Sequence, residues 1–180
     1  MEVIGSKIYI RYFKDVDAET LFDLNLRNKE FYQKYSPTRD DNFYTLDSQR
    51  KFISDMTKKR ENDNQYCFGI FIKDSNELIG YVNLFQILRG PLQSCLIGYS
   101  LDKQQNGNGY ATEAASLAVR FAFNKLNLHR IEAGAMLTNI GSMRVLEKVG
   151  FHKEGIAQKN VKINGQWEDH QVFAIISDKH

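Results

Sequence analysis

Residues 101–115, LDKQQNGNGYATEAA, decide how this chain folds. Gly107 and Gly109 stand among glutamines and asparagines, and an alanine-rich helical pattern begins directly after them. Because glycine has no side chain, backbone N–H groups in such a loop can approach a bulky anion within hydrogen-bonding distance. The helix that follows points the positive end of its dipole at the same place. The segment therefore predicts a phosphate-binding loop, with a plain strand-to-helix turn as the alternative.

Two other phosphate loops fit these residues poorly. A Walker loop ends in Gly-Lys-Ser or Gly-Lys-Thr, and the chain contains neither. The dinucleotide fingerprint requires a third glycine where this chain has Thr112. It also requires an acidic residue at the end of a second strand, whereas Glu132 falls near the start of one. The pattern argues against a dinucleotide site.

Hydrophobic periodicity around the loop predicts an α/β fold. The expected strands cover residues 7–13, 66–73, 78–87, 94–101 and 130–136, with two more flanking Asn164-Gly165, a strong hairpin signal. The expected helices run from Asp15 or Asp17 to about Asn28 and over about 47–60, 110–126 and 142–149, the last closed by Gly150, while residues 30–45 look irregular. This order indicates a mixed, mostly antiparallel central sheet of about seven strands, with about four helices on both faces.

Length and composition indicate one domain over residues 1–180. A net charge of +2 gives no reason to expect nucleic acid or an acidic membrane as a partner. The amino terminus lacks a signal-peptide pattern, and no apolar run approaches the ~20 residues that span a bilayer. Cys67 and Cys95 are isolated, which favours buried thiols in a reducing cytoplasm, and the histidines at 129, 152, 170 and 180 have no metal-ligand spacing.

Three motifs carry a resemblance to a known family. The string QQNGNG at 104–109 fits Gln/Arg-x-x-Gly-x-Gly/Ala, the coenzyme A pyrophosphate loop of the GNAT family of N-acetyltransferases. With "LNLHRIEA" and "NIGSMRVLEKVGF" farther along, the chain resembles the ribosomal-protein (RimJ/RimL-like) branch over residues 7–176. The resemblance implies the GNAT fold and an enzyme that transfers acetyl from acetyl-CoA to a primary amine in a direct ternary complex, without a metal. The expected acceptor is the N-terminal α-amine of a ribosomal protein, and the enzyme would be a monomer or homodimer.

The resemblance also implies which residues hold the coenzyme. Backbone amides from 105 to 111 would bind the pyrophosphate, Asn139 the pantetheine arm and Arg144 a phosphate. The full expected set is Leu101, Gln104, Gln105, Asn106, Gly107, Asn108, Gly109, Tyr110, Ala111, Asn139, Ser142 and Arg144. Each side chain has a plainer alternative, since Asn139 would also suit a helix N-cap and Arg144 a solvated helix face.

Tyr99, Ser142 and Asp169 are the expected catalytic residues by the same resemblance. The strand that carries Tyr99 would splay from its neighbour, so that a free N–H near Tyr99 polarises the thioester carbonyl. Ser142 would donate a proton to the departing thiolate, or would only begin a helix. Asp169 matches a family position but is also suited to ordering the last hairpin.

The chain departs from the family at the expected general base. Relatives often carry glutamate where this sequence has Leu96, which leaves Asp169, His170, Glu132 or a water chain as candidates. An α-amine with a pKa of ~7.7–8.0 is partly neutral at pH 7, whereas a lysine amine at ~10.4 is almost fully protonated. A weak base therefore favours an α-amine acceptor.

Residues 30–44 are the expected acceptor wall, because they combine five aromatic side chains with carboxylates. The rings are Phe31, Tyr32, Tyr35, Phe43 and Tyr44, and the carboxylates are Glu30, Asp40 and Asp41. The combination suits a cationic peptide end or a polyamine, although the rings would equally close the core beneath a long loop. Two other functions stay open: acetylation of a small-molecule amine, and a coenzyme A-binding sensor with little catalysis.

Overall fold

The computed structural model describes residues 1–178, and its strands form a single eight-stranded mixed sheet in the order β1-β2-β3-β4-β5-β6-β8-β7. The strands are β1 (Glu2–Ile4), β2 (Ile8–Tyr12), β3 (Gln65–Ile72), β4 (Leu78–Leu88), β5 (Ser94–Leu101), β6 (Arg130–Met136), β7 (His152–Ile163) and β8 (Gln166–Ile176). The helices are α1 (Ala18–Arg27), α2 (Lys29–Gln33), α3 (Leu46–Glu61), α4 (Tyr110–Asn124) and α5 (Ile140–Val149). Among these residues no helix is long and apolar enough to span a membrane.

The predicted α/β class and mixed sheet are confirmed, and two short elements were missed. β1 is a three-residue edge strand with one half-buried side chain, so it carries no alternating pattern of useful length. α2 is a five-residue helix inside the segment expected to be irregular, and none of its residues is fully buried. The sheet therefore has eight strands where about seven were expected, and the described chain has five helices where about four were expected.

Two hydrophobic cores lie on opposite faces of the sheet. Along β3 the fully buried Phe68 belongs to the core beneath α4 and α5, while its neighbour Cys67 belongs to the core beneath α1 and α3. This division follows from the two-residue period of a strand, which sends successive side chains to opposite faces. Both helical layers are thereby fixed to the same sheet.

The parallel pairing of β5 with β6 extends over only three residue pairs. It joins Ser94 to Arg130, Cys95 to Ile131 and Leu96 to Glu132. Beyond Leu96, β5 stays paired with β4 on its other side, and β6 stays paired with β8. The strands expected to splay therefore do so, and a large cavity is lined by both of them at this place.

The last hairpin turns at Asn164-Gly165, as predicted. Both residues have positive φ, 48° and 81°, which the two-residue turns favoured in hairpins require. The side chain of Asn164 also joins the turn to the segment before α3, because its Nδ2 donates to the Gln33 carbonyl at 2.8 Å and its Oδ1 accepts from Thr38 Oγ1 at 3.1 Å. The hairpin tip thus lies against one wall of the cavity.

We expect Phe68→Ala to lower the free energy of unfolding by about 3–5 kcal/mol, the usual cost of truncating a buried phenylalanine. Phe68 is fully buried, stacks on Tyr12 at 4.8 Å and meets Phe121 edge-on at 5.1 Å. Denaturant unfolding measures the loss. Trp167→Ala is the control, because Trp167 is 59% exposed and its removal should change stability by about 0.5 kcal/mol or less. Equal effects of the two changes would contradict this description of the core.

Candidate active site

A cavity of about 790 Å³ occupies the gap between β5 and β6 and continues to the segment before α3. Of the fourteen residues predicted for the site, ten line it: Tyr99, Leu101, Asn106, Gly107, Gly109, Tyr110, Ala111, Asn139, Ser142 and Arg144. Gln104, Gln105, Asn108 and Asp169 do not. The structure therefore brings the predicted loop, the start of α4 and the start of α5 to one cavity.

Both loop glycines have left-handed backbone conformations, with φ of 85° at Gly107 and 82° at Gly109. A β-carbon added at either would meet no atom within 4 Å, so the backbone faces open space rather than packed protein. The amides of Gln105 and Asn106 already donate to the Asp102 and Lys103 carbonyls. The backbone N–H groups that remain to bind a pyrophosphate are therefore those from Gly107 onward. They include the N–H groups of the first turn of α4, which have no partner within the helix.

A buried aspartate that the sequence analysis did not select anchors this loop. Asp102 is 2% exposed, pairs with Arg27 of α1 at 2.7 Å and accepts from the Gln104 amide at 3.1 Å. Burial raises the pKa of Asp102, but the hydrogen bonds from Gln104 and Arg27 outweigh it and leave that pKa below its ordinary value. Asn28, directly after α1, accepts from the Lys103 amide at 3.0 Å. The end of α1 therefore fixes the position of the glycine loop.

The turn between β1 and β2 supports the loop from the other side. The carboxylate of Glu113, in the first turn of α4, accepts hydrogen bonds from the amides of Ser6 and Lys7. Lys7 Nζ in turn donates to the carbonyl of Asn108 at 3.3 Å. A negative side chain near a helix N-terminus is favourable, so these contacts stabilise the start of α4 as well as the loop.

Tyr99 and Ser142 meet inside the cavity. The hydroxyl groups of the two residues are 3.0 Å apart, and Tyr99 OH also donates to the Ser142 carbonyl at 3.2 Å. Burial raises the pKa of Tyr99 to about 12, so the phenol stays protonated near neutral pH. Asn139 supplies the N-cap of α5, because its Oδ1 accepts from the Ser142 amide at 3.2 Å. Ser142 is therefore not the cap, and its hydroxyl faces Tyr99.

Arg144 lines the cavity together with Lys148, which the sequence analysis did not select. The two residues are four positions apart on α5, and such residues lie on the same helix face. That spacing is the signal that could have identified Lys148. Together they place two positive charges at the cavity, where the phosphates of a coenzyme would be stabilised.

Within residues 1–178 the cavity lining contains no aspartate, glutamate, histidine or cysteine. Glu132 is instead bonded to Arg130 at 2.8 Å, and Asp169 accepts from the Lys159 amide at 2.8 Å, which orders the β7–β8 hairpin. His170 is buried with Nδ1 at 3.2 Å from the Glu168 carbonyl. None of the acids and bases proposed to replace the missing glutamate reaches the cavity, and the catalytic role expected for Asp169 stays a prediction.

All five rings expected in the acceptor wall line the cavity, but the carboxylates beside them do not. The rings are Phe31, Tyr32, Tyr35, Phe43 and Tyr44. Asp41 pairs with Lys29 at 2.7 Å, and Asp40 accepts from the Phe43 amide at 3.3 Å. The wall is therefore aromatic, its expected carboxylates do not line the cavity, and its fit to a cationic acceptor stays a prediction.

The same wall contains a pair of hydrogen-bonded amide side chains and, within residues 1–178, two buried polar atoms that have no hydrogen-bond partner. Gln49 Nε2 donates to the Phe43 carbonyl at 2.5 Å, which fixes the orientation of the Gln49 amide, and its Oε1 accepts from Asn25 Nδ2 at 2.9 Å. Asn25 and Tyr32 both line the cavity, and among the described residues Asn25 Oδ1 and Tyr32 OH are the buried side-chain polar atoms without a hydrogen-bond partner. Such atoms are rare because each costs about 1–3 kcal/mol.

The sequence model of the family described as "Acetyltransferase (GNAT) domain" matches residues 7–152, and the chain belongs to this family. It is 55% identical over 173 residues to the probable N-acetyltransferase YjcK of Bacillus subtilis, with 96% of each chain covered. It is 31% identical over 169 residues to the [ribosomal protein uS5]-alanine N-acetyltransferase of Escherichia coli, with 94% of this chain and 87% of that chain covered.

A solved structure shares the fold: Mycobacterium smegmatis RimJ in complex with CoA-disulfide has a TM-score of 0.91 and 26% identity, with 96% of this chain and 83% of that chain covered. These relatives confirm the ribosomal-protein acetyltransferase branch and an acetyl-CoA-dependent N-acetyltransferase. In residues 1–178 no three metal-ligating side chains come together, and His180 lies outside the described part of the chain.

We expect Asp102→Ala to weaken coenzyme binding, because the segment before the glycine loop loses its ion pair with Arg27 of α1. The KM for acetyl-CoA should rise about tenfold, which corresponds to ~1.4 kcal/mol. A second readout is thermal unfolding, in which acetyl-CoA at ~100 times Kd stabilises the parent by ~2.7 kcal/mol and the variant by less at the same concentration. Asp55→Ala removes an exposed ion pair with Lys51 on α3 and is the matched control. An unchanged KM in Asp102→Ala would contradict the anchoring role.

Proposed function

We propose that this enzyme acetylates the N-terminal α-amine of a protein, and that a ribosomal protein is the first acceptor to test. The observation that carries the proposal is the cavity lining, which offers no carboxylate or imidazole to remove a proton from the acceptor. The acceptor must then arrive with a substantial neutral fraction. The 31% identical relative from Escherichia coli, a [ribosomal protein uS5]-alanine N-acetyltransferase, supports the same class of acceptor.

The pKa values of amines separate the two kinds of protein acceptor. An α-amine at ~7.7–8.0 is roughly one tenth neutral at pH 7, whereas a lysine amine at ~10.4 is neutral less than ~0.1% of the time. The difference corresponds to about 3 kcal/mol. A site without a base can therefore acetylate an α-amine at a useful rate but not an ordinary lysine.

In the proposed reaction acetyl-CoA supplies the thioester that the amine attacks directly. A backbone N–H on the unpaired edge of β5, between Ile97 and Leu101, stabilises the negative charge that develops on the carbonyl oxygen. The Ser142 hydroxyl, hydrogen-bonded to Tyr99, gives a proton to the departing sulfur, and the proton that the attacking nitrogen loses restores the Ser142 hydroxyl. A thiol with a pKa of ~8.5 is already a tolerable leaving group, so this proton assists the reaction without being indispensable.

Transfer without an acyl-enzyme is supported by the position of the two cysteines. Cys67 and Cys95 are buried, neither lines the cavity, and burial raises the pKa of each thiol to about 12. A nucleophilic cysteine needs a thiolate near neutral pH, and these residues do not form one. Two reduced thiols also fit the cytoplasmic location that we propose for the enzyme.

Turnover should be far faster on a peptide with a free terminus than on one with a blocked terminus and a single lysine. At pH 7 we expect a difference of about 300-fold, which follows from the neutral fractions of the two amines. The kcat/KM for the α-amine should rise with pH and level off above about 8, where that amine is neutral. Faster lysine acetylation would overturn the proposal, and efficient use of small amines alone would favour a small-molecule acetyltransferase.

Replacing Ser142 by alanine should lower kcat by about 10–100-fold, at or below the usual range for a general acid, and leave the KM for acetyl-CoA nearly unchanged. Tyr99→Phe should have a smaller effect, because the phenol acts through Ser142. Ser116→Ala is the matched control, since that hydroxyl donates to the Thr112 carbonyl within α4. If kcat stayed at the parent value in Ser142→Ala, the proton would come from another source.

A further inference from the structure

The charged residues that line the cavity are all cations. They are Arg39, Arg144 and Lys148, and no carboxylate of residues 1–178 accompanies them. Arg144 and Lys148 lie on α5, whose first residues line the coenzyme side. Arg39 lies in the aromatic segment that is expected to form the acceptor wall. The acceptor side of the cavity is therefore positive.

The nearby acids form no ion pair with Arg39 within residues 1–178. Asp41 forms its ion pair with Lys29 at 2.7 Å. Asp40 caps the short turn before α3 by accepting from the Phe43 amide at 3.3 Å. Among the ion pairs formed within residues 1–178, none includes Arg39. The charge of Arg39 is thus available to whatever enters the cavity.

Arg39 is positioned by stacking. Its guanidinium carbon lies 4.6 Å from the centre of the Phe43 ring, and Phe43 meets Tyr44 edge-on at 5.2 Å. A stacked guanidinium keeps its N–H donors free in its own plane, where they can bind a carboxylate with two parallel hydrogen bonds. Its charge also acts on Tyr81, a ring of the inner cavity wall: burial raises the pKa of Tyr81, and Arg39 opposes that rise.

We propose that Arg39 selects acceptors by charge. The enzyme then favours a free N-terminus that is followed by acidic residues. It disfavours polyamines and an N-terminus that is followed by basic residues. This inference rests on the proposed function, since it describes the chain attached to the amine. Arg39 binds the acidic side chain at the second or third position of the acceptor. A basic side chain at the same place is repelled by Arg39 and finds no carboxylate to pair with.

The size of the effect follows from Coulomb's law. Two unit charges about 6 Å apart in a medium of effective dielectric constant ~40 interact strongly enough to change an equilibrium about tenfold. Because Arg39 is exposed, salt screens this interaction, and the preference should shrink as ionic strength rises. Salt dependence distinguishes charge selection from selection by shape.

The test uses three peptides that share a free N-terminal alanine. The second and third residues are both glutamate in the first peptide, both glutamine in the second and both arginine in the third. Arginine is used because it adds no second acetylatable amine. We expect kcat/KM to fall in the order glutamate, glutamine, arginine, with at least about tenfold between the extremes at low salt. Arg39→Gln should bring the ratio near one, and Arg39→Glu should invert it, while the KM for acetyl-CoA stays unchanged in both.

Arg50→Gln is the matched control, because Arg50 is an exposed arginine of α3 that pairs with Asp47 and does not line the cavity. This variant should show the same order of kcat/KM among the three peptides as the parent, and the same ratios between them. Arg39 variants that retain the parent's preference, or a parent that prefers the arginine peptide, would overturn the inference.

Failure of the proposed function gives a different result, in which the parent acetylates none of the three peptides. Charge selection is then measured from the kcat/KM values for spermidine, glycinamide and glutamate as acceptors. Preference for glutamate over spermidine that is lost in Arg39→Gln would support the inference without the protein acceptor. Preference for spermidine, or no turnover on any of these amines, would overturn it.

Discussion

The site depends on the early end of the hydrogen bonding between β5 and β6. Three residue pairs hold the strands together, and beyond Leu96 each strand keeps its partner only on the other side. Backbone groups on the inner edges are then free to bind a ligand, which matters because buried N–H and C=O groups require partners. The glycine loop and the start of α5 lie at the same gap. Such free edges are what the reaction proposed above requires for the coenzyme arm and the thioester carbonyl.

A second constraint joins the two halves of the site. Asp102 and Lys103, just before the glycine loop, bind Arg27 and Asn28 at the end of α1, and α1 also carries Asn25 into the acceptor wall. The end of α1 therefore contacts the glycine loop, while the middle of the same helix contributes to the acceptor wall. Asp102 is buried, so this connection is screened less by salt than an ion pair on the surface.

The side chains of the acceptor wall limit the groups that the cavity can bind. Aromatic rings, the amide of Asn25 and the guanidinium of Arg39 form the wall, while the acids and imidazoles of the described chain lie elsewhere. Such a wall can position a neutral amine and bind a negative group beside it. The wall contains no carboxylate or imidazole to take up the proton of a lysine, and the α-amine acceptor proposed above follows from that lining.

The sequence by itself determined the α/β class, most strand and helix positions and the family, and it predicted the glycine loop that lines the cavity, because these depend on local periodicity and on glycine geometry that short motifs specify. It missed β1 and α2, which are too short to show a period. Only the tertiary structure decided that Asp169 orders a hairpin, that Asp102 anchors the loop and that Arg39 faces the cavity without an acidic partner. These roles depend on contacts between residues far apart in the chain, and no local pattern specifies which distant side chain will lie beside another.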